Sequence, residues 1–544
     1  MGDTDELSNS DVDPDEELFA RDARSGGVRA PRTSIFDRGT NPFGRRRTTP
    51  TTTTTTTGSK PATTSADAGA TKPTTAPIAP TTPTAPGSTR VPGGTSATVP
   101  PSAAGTFHVS PQGNDSADGS ERAPFRTIAS ALKRVNRGTI VVHGGTYPER
   151  LVIKHTGTSD ADYLNLVAAP NERVELTGKG AGQGEEGNMI YMQNASYVRV
   201  DGFRIVGDGV QEDVSGVRLM SAGHHIEILN NEISEIRGES AMGITVYGKD
   251  GAGITDLVIR GNKIHDCDPA PSEALTLNGN VQRFQVIANE VRDVNNIGID
   301  VIGGETWLSR AYPSDGVVSD NFVTRANSTY DGSAACIYVD GASKLTIERN
   351  RVSECDYGIE VGAENRQVTV TDVVVRNNFV HHNYRGGIIF GGYDAERGRV
   401  TRSHFVHNSL YKNNRPKDKT RFNYQGGANG EIIVQYASDC ELSNNILYGI
   451  REASSIGSVG RGSSSNMRWA NNLFFREGAR VNGLPDTAAI VSDPRFLAPD
   501  NGDLHIRADS PARAKARIDA MAGSDDIDGQ PRANGGNDVG ADEL

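Results

Sequence analysis

The sequence predicts an all-β fold in which the chain winds as a parallel solenoid of about 10–12 turns. The first observation is an asparagine that returns about every thirty residues and is followed, after one intervening residue, by a large apolar side chain. The second observation is a separate apolar alternation that recurs between successive asparagines. The asparagines are Asn231, Asn262, Asn289, Asn321, Asn350, Asn378, Asn408, Asn445 and Asn472, with spacings of 31, 27, 32, 29, 28, 30, 37 and 27 residues.

Composition and charge agree with many short strands joined by tight turns. The chain of 544 residues contains 62 glycines and only 6% aromatic residues. A net charge of -12 excludes the basic surface that nucleic-acid binding requires. Neither an apolar run long enough to span a membrane nor the hydrophobic core of a signal peptide is recognisable. We therefore expect no nucleic-acid partner and no membrane span.

Two segments precede the solenoid. Residues 1–47 are first acidic and then basic, and we expect this tail to be disordered. Residues 48–105 consist almost wholly of Thr, Pro, Ala, Ser and Gly, which predicts an extended, disordered linker. A sharper hypothesis for the tail is a segment that docks to another protein.

Residues 106–155 are predicted to cap the amino-terminal end of the solenoid. The segment reads as a strand, a polar turn, a short helix and a second strand. Helical spacing relates Ile128, Ala131, Leu132 and Val135, and Gly138 ends the helix. An amphipathic helix across the first turn would cover the unpaired strand edges that a solenoid end exposes.

Each turn is predicted to hold at least two short strands. One alternation precedes the asparagine, as in HIEILNNEI, DLVIRGNKI and KLTIERNRV, and the other follows it, as in GITVYG, ALTLNG, GIDVIGG and CIYVDG. Strands of equal phase in successive turns must run parallel, with their apolar side chains stacked inside. We expect the asparagines to stack as well, each amide bonding its neighbours, so they are assigned to the scaffold and not to chemistry.

The two ends of the ordered region resemble those of right-handed parallel β-helix proteins of the pectate lyase-like superfamily. The beginning carries FHVSPQGND, a PF..I..A helix and HGGTY, and the end carries DPRFLAPDNGDLHIRADSPA, DIDGQPR and DVGADEL. The resemblance covers residues 106–544, with a closing segment at about 485–544. It implies a right-handed, single-stranded β-helix, an extracellular or cell-surface location and a carbohydrate ligand. A monomer is expected.

The second alternation places several acidic side chains on one outer face. Side chains alternate along a strand, so if Ile299, Ile337 and Ile359 point inward, the residues that follow them point outward. Stacking would separate the outer carboxylates by about 7–10 Å, which suits inverting hydrolysis or a calcium site. The residues on this outer face are Asp300, Tyr338, Asp340 and Glu360.

Polar and aromatic loops next to this face are typical of a carbohydrate cleft. Asp300, Asp340 and Glu360 are the candidate catalytic carboxylates and Ca²⁺ ligands, with Arg385, Arg397 or a lysine of the loop 412–421 as base or carboxylate clamp. The candidate substrate-binding residues are Glu305, Trp307, Tyr330, Asp331, Tyr338, Glu364, Tyr393, Asp394, Glu431 and Gln435.

Several functions are compatible with this face. The leading hypothesis is a polysaccharide lyase that cleaves a uronate-containing glycan by β-elimination, and a glycoside hydrolase on the same cleft is the first alternative. The paired-aspartate and GHG pattern of polygalacturonases, the DPH motif of mannuronan epimerases and the clustered aspartates of pectate lyases are not evident. Further alternatives are a non-catalytic glycan-binding or adhesive solenoid and a surface protein of a virion or injection particle.

The four cysteines show no metal-ligand spacing. Cys267 and Cys355 share a phase of the repeat but lie three turns, or about 14 Å, apart, beyond the reach of a disulfide. All four cysteines, including Cys336 and Cys440, are therefore interpreted as packing or surface residues.

Overall fold

The structure is a computed structural model that describes residues 105–544 except 183, 185–186, 250, 330–331, 393–395, 416–429, 451–457, 460–463, 479–484 and 533–537. The predicted tail 1–47 and nearly all of the linker 48–105 lie outside the described residues. The remainder is an all-β parallel solenoid of about 12 turns, so the predicted fold class is confirmed. Three long sheets and a small fourth sheet form its walls.

The first sheet has 13 strands, one from each successive turn, and all neighbouring strands are parallel. Several of these strands precede the repeat asparagines. They span Thr106–Val109, Gly138–Val142, Leu164–Ala168, Ser196–Asp201, Gly223–Leu229, Ile254–Arg260, Val281–Ile287, Ser314–Ser319, Ser343–Glu348, Val374–Arg376, His404–Val406, Glu441–Ser443 and Arg468–Ala470.

The second sheet has 11 parallel strands and carries the second alternation found in the sequence. They span Leu151–Ile153, Ile190–Gln193, Ser215–Ser221, Met242–Gly248, Leu275–Gly279, Ile299–Ile302, Ala335–Asp340, Tyr357–Gly362, Gly386–Gly391, Gly430–Gln435 and Ser458–Val459. The strand-per-turn arrangement is the one that the thirty-residue period predicts.

The third sheet also has 13 strands. The sequence pattern predicted at least two strands in each turn and did not distinguish this third strand from the first. Its strands span Gly145–Tyr147, Val174–Thr177, Arg204–Val210, Glu232–Arg237, Lys263–His265, Glu290–Asn295, Phe322–Asn327, Arg351–Ser353, Phe379–His381, Ser409–Tyr411, Ile446–Gly449, Leu473–Arg476 and Ile490–Val491. A fourth sheet contains Thr369–Thr371, Arg399–Thr401 and Ala437–Ser438, and an antiparallel pair joins Phe496–Ala498 to Asp503–Ile506.

The described helices are short. The one α-helix in the described ranges is Ile128–Arg134, in the predicted place, with Ile128 and Ala131 buried. The Thr127 hydroxyl caps its first turn by accepting from the Ser130 amide. Turns of 3₁₀-helix lie at Asp160–Asp162, Thr306–Leu308 and Pro499–Asn501. No helix in the described part of the chain is long and apolar enough to cross a membrane.

A continuous ladder of asparagine amides runs between the first and third sheets. In each step the backbone amide and the Nδ2 of one asparagine donate to the Oδ1 of the next, from Asn231 through Asn262 and Asn289 onward to Asn472. Asp486 accepts the last pair of hydrogen bonds. The predicted stacking is confirmed.

One prediction about the cysteines is wrong, because Cys336 and Cys355 form a buried disulfide. Their separation of 19 residues places them in neighbouring turns at the corner where the third sheet leads into the second. The prediction compared only cysteines at the same position of the repeat. At the corner between two sheets, residues at different positions of the repeat also come into contact. Cys267 and Cys440 are buried and unpaired among the described residues, as expected.

The carboxy-terminal segment closes the structure by packing against the outside of the third sheet. A second apolar cluster joins Phe379 and Ile446 of that sheet to Phe496, Leu504 and Ile527 of the segment. Because this cluster is separate from the interior core, the segment is a layer laid on the solenoid rather than another turn of it.

Candidate functional site

The candidate site begins with one row of side chains on the second sheet. Thr276 is paired in register with Asp300, Asp300 with Tyr338, and Tyr338 with Glu360. The residues before them, including Ile337 and Ile359, belong to the interior core. The alternation of side chains along each strand therefore puts this row on the outer face of the sheet. We call it the acidic row.

The acidic row is far less accessible than an open cleft would be. Asp300 and Glu360 are 0% exposed and Tyr338 is 1% exposed. Asp340, two residues beyond Tyr338, is 2% exposed, and one of its oxygens accepts the backbone amide of Glu364 at 2.9 Å. The structure thus gathers the predicted carboxylates, but in a desolvated setting where charge interactions are strong.

The negative charges of several carboxylates act together on Tyr338. Burial is the largest cause that holds the pKa of Tyr338 well above its ordinary range, and the negative charges of Asp340, Glu364, Glu360 and Asp300 act in the same direction. Its hydroxyl therefore keeps its proton at physiological pH. The negative charges that act on this buried phenol make an acidic centre, which favours a neutral or cationic group over an anionic one.

The loop that follows the strand Ile299–Ile302 forms a wall beside this centre. The ring of Tyr312 lies against Gly303 and Gly341, where an added Cβ would approach ring atoms to 2.6 and 2.5 Å. Burial raises the pKa of Tyr312 to about 12, and the charge of Asp340 adds to the effect. The two glycines are required because any side chain there would displace the ring.

The same loop reaches back over the preceding turns. Its 3₁₀ turn Thr306–Leu308 inserts Leu308 between Met242 and Tyr247, and the Trp307 ring meets the Tyr247 ring edge-on at 4.9 Å. Trp307 remains 36% exposed. The Glu305 carbonyl accepts the amide hydrogens of the turn that follows it. Predicted substrate residues Glu305 and Trp307 thus lie on the wall of the face.

Several buried polar atoms on this face have no hydrogen-bond partner among the described residues. They are Thr276 Oγ1, both side-chain amide atoms of Asn278, and Tyr338 Oη. Thr276 belongs to the acidic row, and Asn278 lies two residues further along the same strand, beside Tyr247. Because buried polar groups are almost always bonded, these atoms mark a place for water or ligand.

Arg385 lies at the edge of the face rather than at its centre. Its guanidinium is buried, donates to the carbonyl of Gly332 at 2.9 Å and sits 5.1 Å above the Tyr357 ring. Tyr357 in turn packs with Tyr338 in a small apolar cluster that includes Ile389. Arg385 is therefore connected to the acidic row through a ring.

Arg397 and Glu431 are placed elsewhere. Arg397 forms an isolated antiparallel bridge with Arg366 next to the fourth sheet. The buried carboxylate of Glu431 accepts both the backbone and the side-chain amide of Asn413. Asn383 donates to Asn413 in the same way, so Glu431 ends a second amide ladder. Burial raises the pKa of Glu431 well above its usual range despite these bonds.

The remaining predicted residues cannot be placed. Tyr330, Asp331, Tyr393 and Asp394 lie outside the described residues, and so does the side chain of Gln435, whose backbone ends the strand Gly430–Gln435.

Residues that the sequence analysis missed are Thr276, Asn278 and Tyr247. Thr276 and Asn278 stand in the motif ALTLNG, at the same outward phase as Asp300 in GIDVIGG, so the register contained the signal. The strand register did not point to Tyr247. Its role depends on a loop that returns from two turns later, and no local pattern reveals such a contact.

Comparisons with known proteins agree with the fold. A family model described as "Protein of unknown function (DUF1565)" matches residues 111–155. The uncharacterized protein YwoF of Bacillus subtilis (strain 168) is 31% identical over 442 residues, which span 75% of this chain and 92% of that protein. The solenoid of about 12 turns is the parallel β-helix architecture that the resemblance implies.

Solved structures share the architecture at low sequence identity. A complex of XylC with xylose is 12% identical, covers 80% of this chain and 98% of that chain, and has a TM-score of 0.54. Pectate lyase Pel9A is 14% identical, covers 80% of this chain and 96% of that chain, and has a TM-score of 0.47. The XylC comparison establishes a shared fold over most of the described chain.

Proposed function

The chain belongs to the family of the Bacillus subtilis protein YwoF, and we propose that it is a carbohydrate-active β-helix protein whose site is the acidic row. The observation that carries the proposal is the register of Asp300, Tyr338 and Glu360 on one desolvated outer face. XylC, which shares the fold, is described in complex with a sugar, and this supports the ligand class.

The reaction that this geometry supports best is glycoside hydrolysis. Asp300 and Glu360 are two strands apart, and a spacing of about 4.8 Å between strands puts their backbones about 9.6 Å apart. This backbone separation lies just above the range of about 6.5–9.5 Å that inverting glycosidases keep between their two carboxyl groups, which leaves room for a water between one of them and the sugar. One carboxyl would protonate the leaving oxygen and the other would activate that water.

Such a reaction needs a proton donor in the acidic row. The negative charges of four carboxylates act on the same buried tyrosine. In the proposed reaction one of these carboxyls would carry the proton that is delivered to the leaving oxygen. Tyr338, held in its protonated form between Asp300 and Glu360, can donate a hydrogen bond to a sugar oxygen.

A calcium-dependent lyase is the second candidate, and the number of oxygen donors is the observation that favours it. Asp300, Asp340 and Glu360 are the proposed ligands, and because they stand on three successive strands their side chains would have to converge on the ion. A bound Ca²⁺ would offset the carboxylate of a uronate and so favour loss of its neighbouring proton. Arg385 is the nearest predicted base, at the edge of the face beside Tyr357.

Incubating the full chain with neutral and uronate polysaccharides, with and without EDTA, tests the proposal. Hydrolysis gives new reducing ends that EDTA does not suppress. Elimination gives unsaturated ends that absorb in the ultraviolet and disappear with EDTA. Binding without either product would support the non-catalytic adhesive solenoid, and an absence of both binding and turnover would overturn the proposed ligand class.

An extracellular or cell-surface location is part of this proposal. The buried disulfide between Cys336 and Cys355 supports it, because disulfides persist in oxidising compartments. The substrates of a polysaccharide-active solenoid are found in the same surroundings. Docking through residues 1–47 stays a prediction, since that tail lies outside the described residues.

A further inference from the structure

Two rows of side chains run next to each other on the outer face of the second sheet. The acidic row contains Thr276 and Asp300, in register. The neighbouring row contains Tyr247 and Asn278, also in register. Thr276 and Asn278 lie two residues apart on one strand and so point to the same side, about 7 Å apart. The neighbouring row therefore extends the acidic centre towards Trp307.

The amide of Asn278 is the most informative group in this row. The residue is 0% exposed, yet neither its Oδ1 nor its Nδ2 has a partner in the described part of the chain, and the same holds for Thr276 Oγ1. Leaving such groups unbonded is costly, and native proteins avoid it except where water or a ligand completes the bonding. An amide and a hydroxyl both donate and accept, which is the pattern that sugar hydroxyls match.

Trp307 supplies an apolar surface at the end of this row, against Tyr247. Its ring is fixed by the edge-on contact with Tyr247 at 4.9 Å and by the buried neighbour Leu308, while about a third of its surface, 36%, remains exposed. A rigid, partly exposed aromatic ring next to unsatisfied polar groups is the usual composition of a small-ligand subsite.

The charges around this subsite decide which sugar it can take. On one side lie the carboxylates that act on Tyr338. On the other side Arg218 stands 5.8 Å from the Tyr247 ring, but its guanidinium is paired with Asp213 at 2.9 Å. A sugar carboxylate placed between them would face the negative charges that act on Tyr338 in a desolvated setting, while Arg218 is already engaged with Asp213.

We propose that Thr276, Asn278 and Trp307 form a specificity subsite for an uncharged sugar unit, and that the protein discriminates against uronates there. The inference rests on the proposed function and names the substrate class of the same site. Trp307 stacks on the sugar ring, while Asn278 and Thr276 bond to its hydroxyls.

Calorimetric titration of the full chain, without added Ca²⁺, tests the proposal. The probes are neutral oligosaccharides of xylose, mannose and glucose, and acidic oligosaccharides of galacturonate and mannuronate. At least one neutral series should bind ten-fold or more tightly than either acidic series. Asn278→Asp should weaken that binding at least ten-fold, because it adds a fifth negative charge, and Trp307→Ala should weaken it by a similar factor.

Matched controls separate specificity from folding. Gln285→Glu makes the same amide-to-acid change at an exposed position on the first sheet, and Phe322→Ala removes an aromatic ring that is 40% exposed on the third sheet. Both should bind neutral sugars like the wild type. Trp307→Ala removes a partly exposed side chain, so it remains informative if Asn278→Asp does not fold.

The titrations distinguish a wrong subsite from a wrong proposed function. Tighter binding of acidic sugars, or neutral binding that is unchanged in both site variants, overturns the subsite while the proposed carbohydrate function stands. Binding of none of the sugars overturns the subsite and the proposed function together.

Discussion

Asp300 and Glu360 lie on opposite sides of Tyr338 in a single row, each in register with that tyrosine in a neighbouring strand. The strand spacing therefore sets the distance between the two carboxylates, and no loop has to hold it. Sites placed on regular elements are more rigid than sites placed on loops. Desolvated acids are uncommon on a purely structural face, which is why the acidic row is the candidate functional site.

If the proposed hydrolysis takes place at the acidic row, replacing either carboxylate should strongly reduce glycan turnover. Glu360→Gln and Asp300→Asn keep the shape of the side chain but remove the acid–base group, so we expect the catalytic rate to fall by about 10²–10⁴. Reducing-end release measures the effect. Glu290→Gln, a matched change on the third sheet, should leave the rate intact. Full activity in both site variants would contradict the assignment.

The amide ladder should contribute measurably to stability. In the wild type the Asn321 Oδ1 accepts from the backbone and side-chain amides of Asn289, and its Nδ2 donates to the Val286 carbonyl and to the Asn350 Oδ1. Asn321→Ala removes all four hydrogen bonds. Each buried group left unbonded costs about 1–3 kcal/mol, so we expect a loss of several kcal/mol in the free energy of unfolding.

Denaturant titration followed by circular dichroism checks this value. The control is Gln285→Ala at an exposed strand position, which should change the unfolding free energy by no more than about 0.5 kcal/mol. An Asn321→Ala variant as stable as this control would show that the ladder is dispensable.

The period of the asparagines made much of the site predictable. It defined the turns, and side-chain alternation then placed Asp300, Tyr338 and Glu360 in one row, because a parallel stack allows one register for each turn. The burial of that row was not predictable in the same way. It depends on a loop that folds back to Tyr247 and on the packing of Tyr312, and these are contacts between distant parts of the chain.

Other features were in the sequence but were not recognised. Asn383 and Asn413 are 30 residues apart, which is one repeat of the solenoid. This spacing predicts the second amide ladder, which ends at Glu431. The disulfide has a different explanation. Cys336 and Cys355 differ in phase, so only the path of the chain around a corner brings them together.

Reduction of the disulfide should destabilise the solenoid next to the site. Cys336 and Cys355 are separated by 19 residues, and closing a loop of that size contributes about 3 kcal/mol. Dithiothreitol should therefore lower the melting temperature of the wild type but not that of a Cys336→Ala, Cys355→Ala variant. Cys440→Ala, which removes a buried free thiol, should keep the wild-type response. A wild type that is insensitive to the reductant would contradict the bond.

His505 should give the closing segment a pH-dependent stability. Its Nδ1 pairs with Asp503 at 2.5 Å, its Nε2 pairs with Asp528 at 2.6 Å, and its ring packs against Phe379 of the third sheet. Burial opposes the charged form, but Asp528, Asp542 and Asp503 outweigh it and raise the pKa of His505 to about 9. Arg351 also pairs with Asp528 from the third sheet and is the one cation among these described contacts.

The direction in which stability changes with pH follows from that pKa shift. The pKa of His505 rises from 6.5 in the unfolded chain to about 9 when folded, so its stabilising effect is fully present below pH 6.5 and is lost as the pH rises through 9. The melting temperature of His505→Gln should therefore lie below that of the wild type at pH 6 and approach it at pH 10. Arg495→Gln, which breaks the exposed pair with Asp509, should differ from the wild type by a constant amount over this range, because arginine does not titrate there. An equal gap for His505→Gln at pH 6 and pH 10 would show that the histidine acts only through packing.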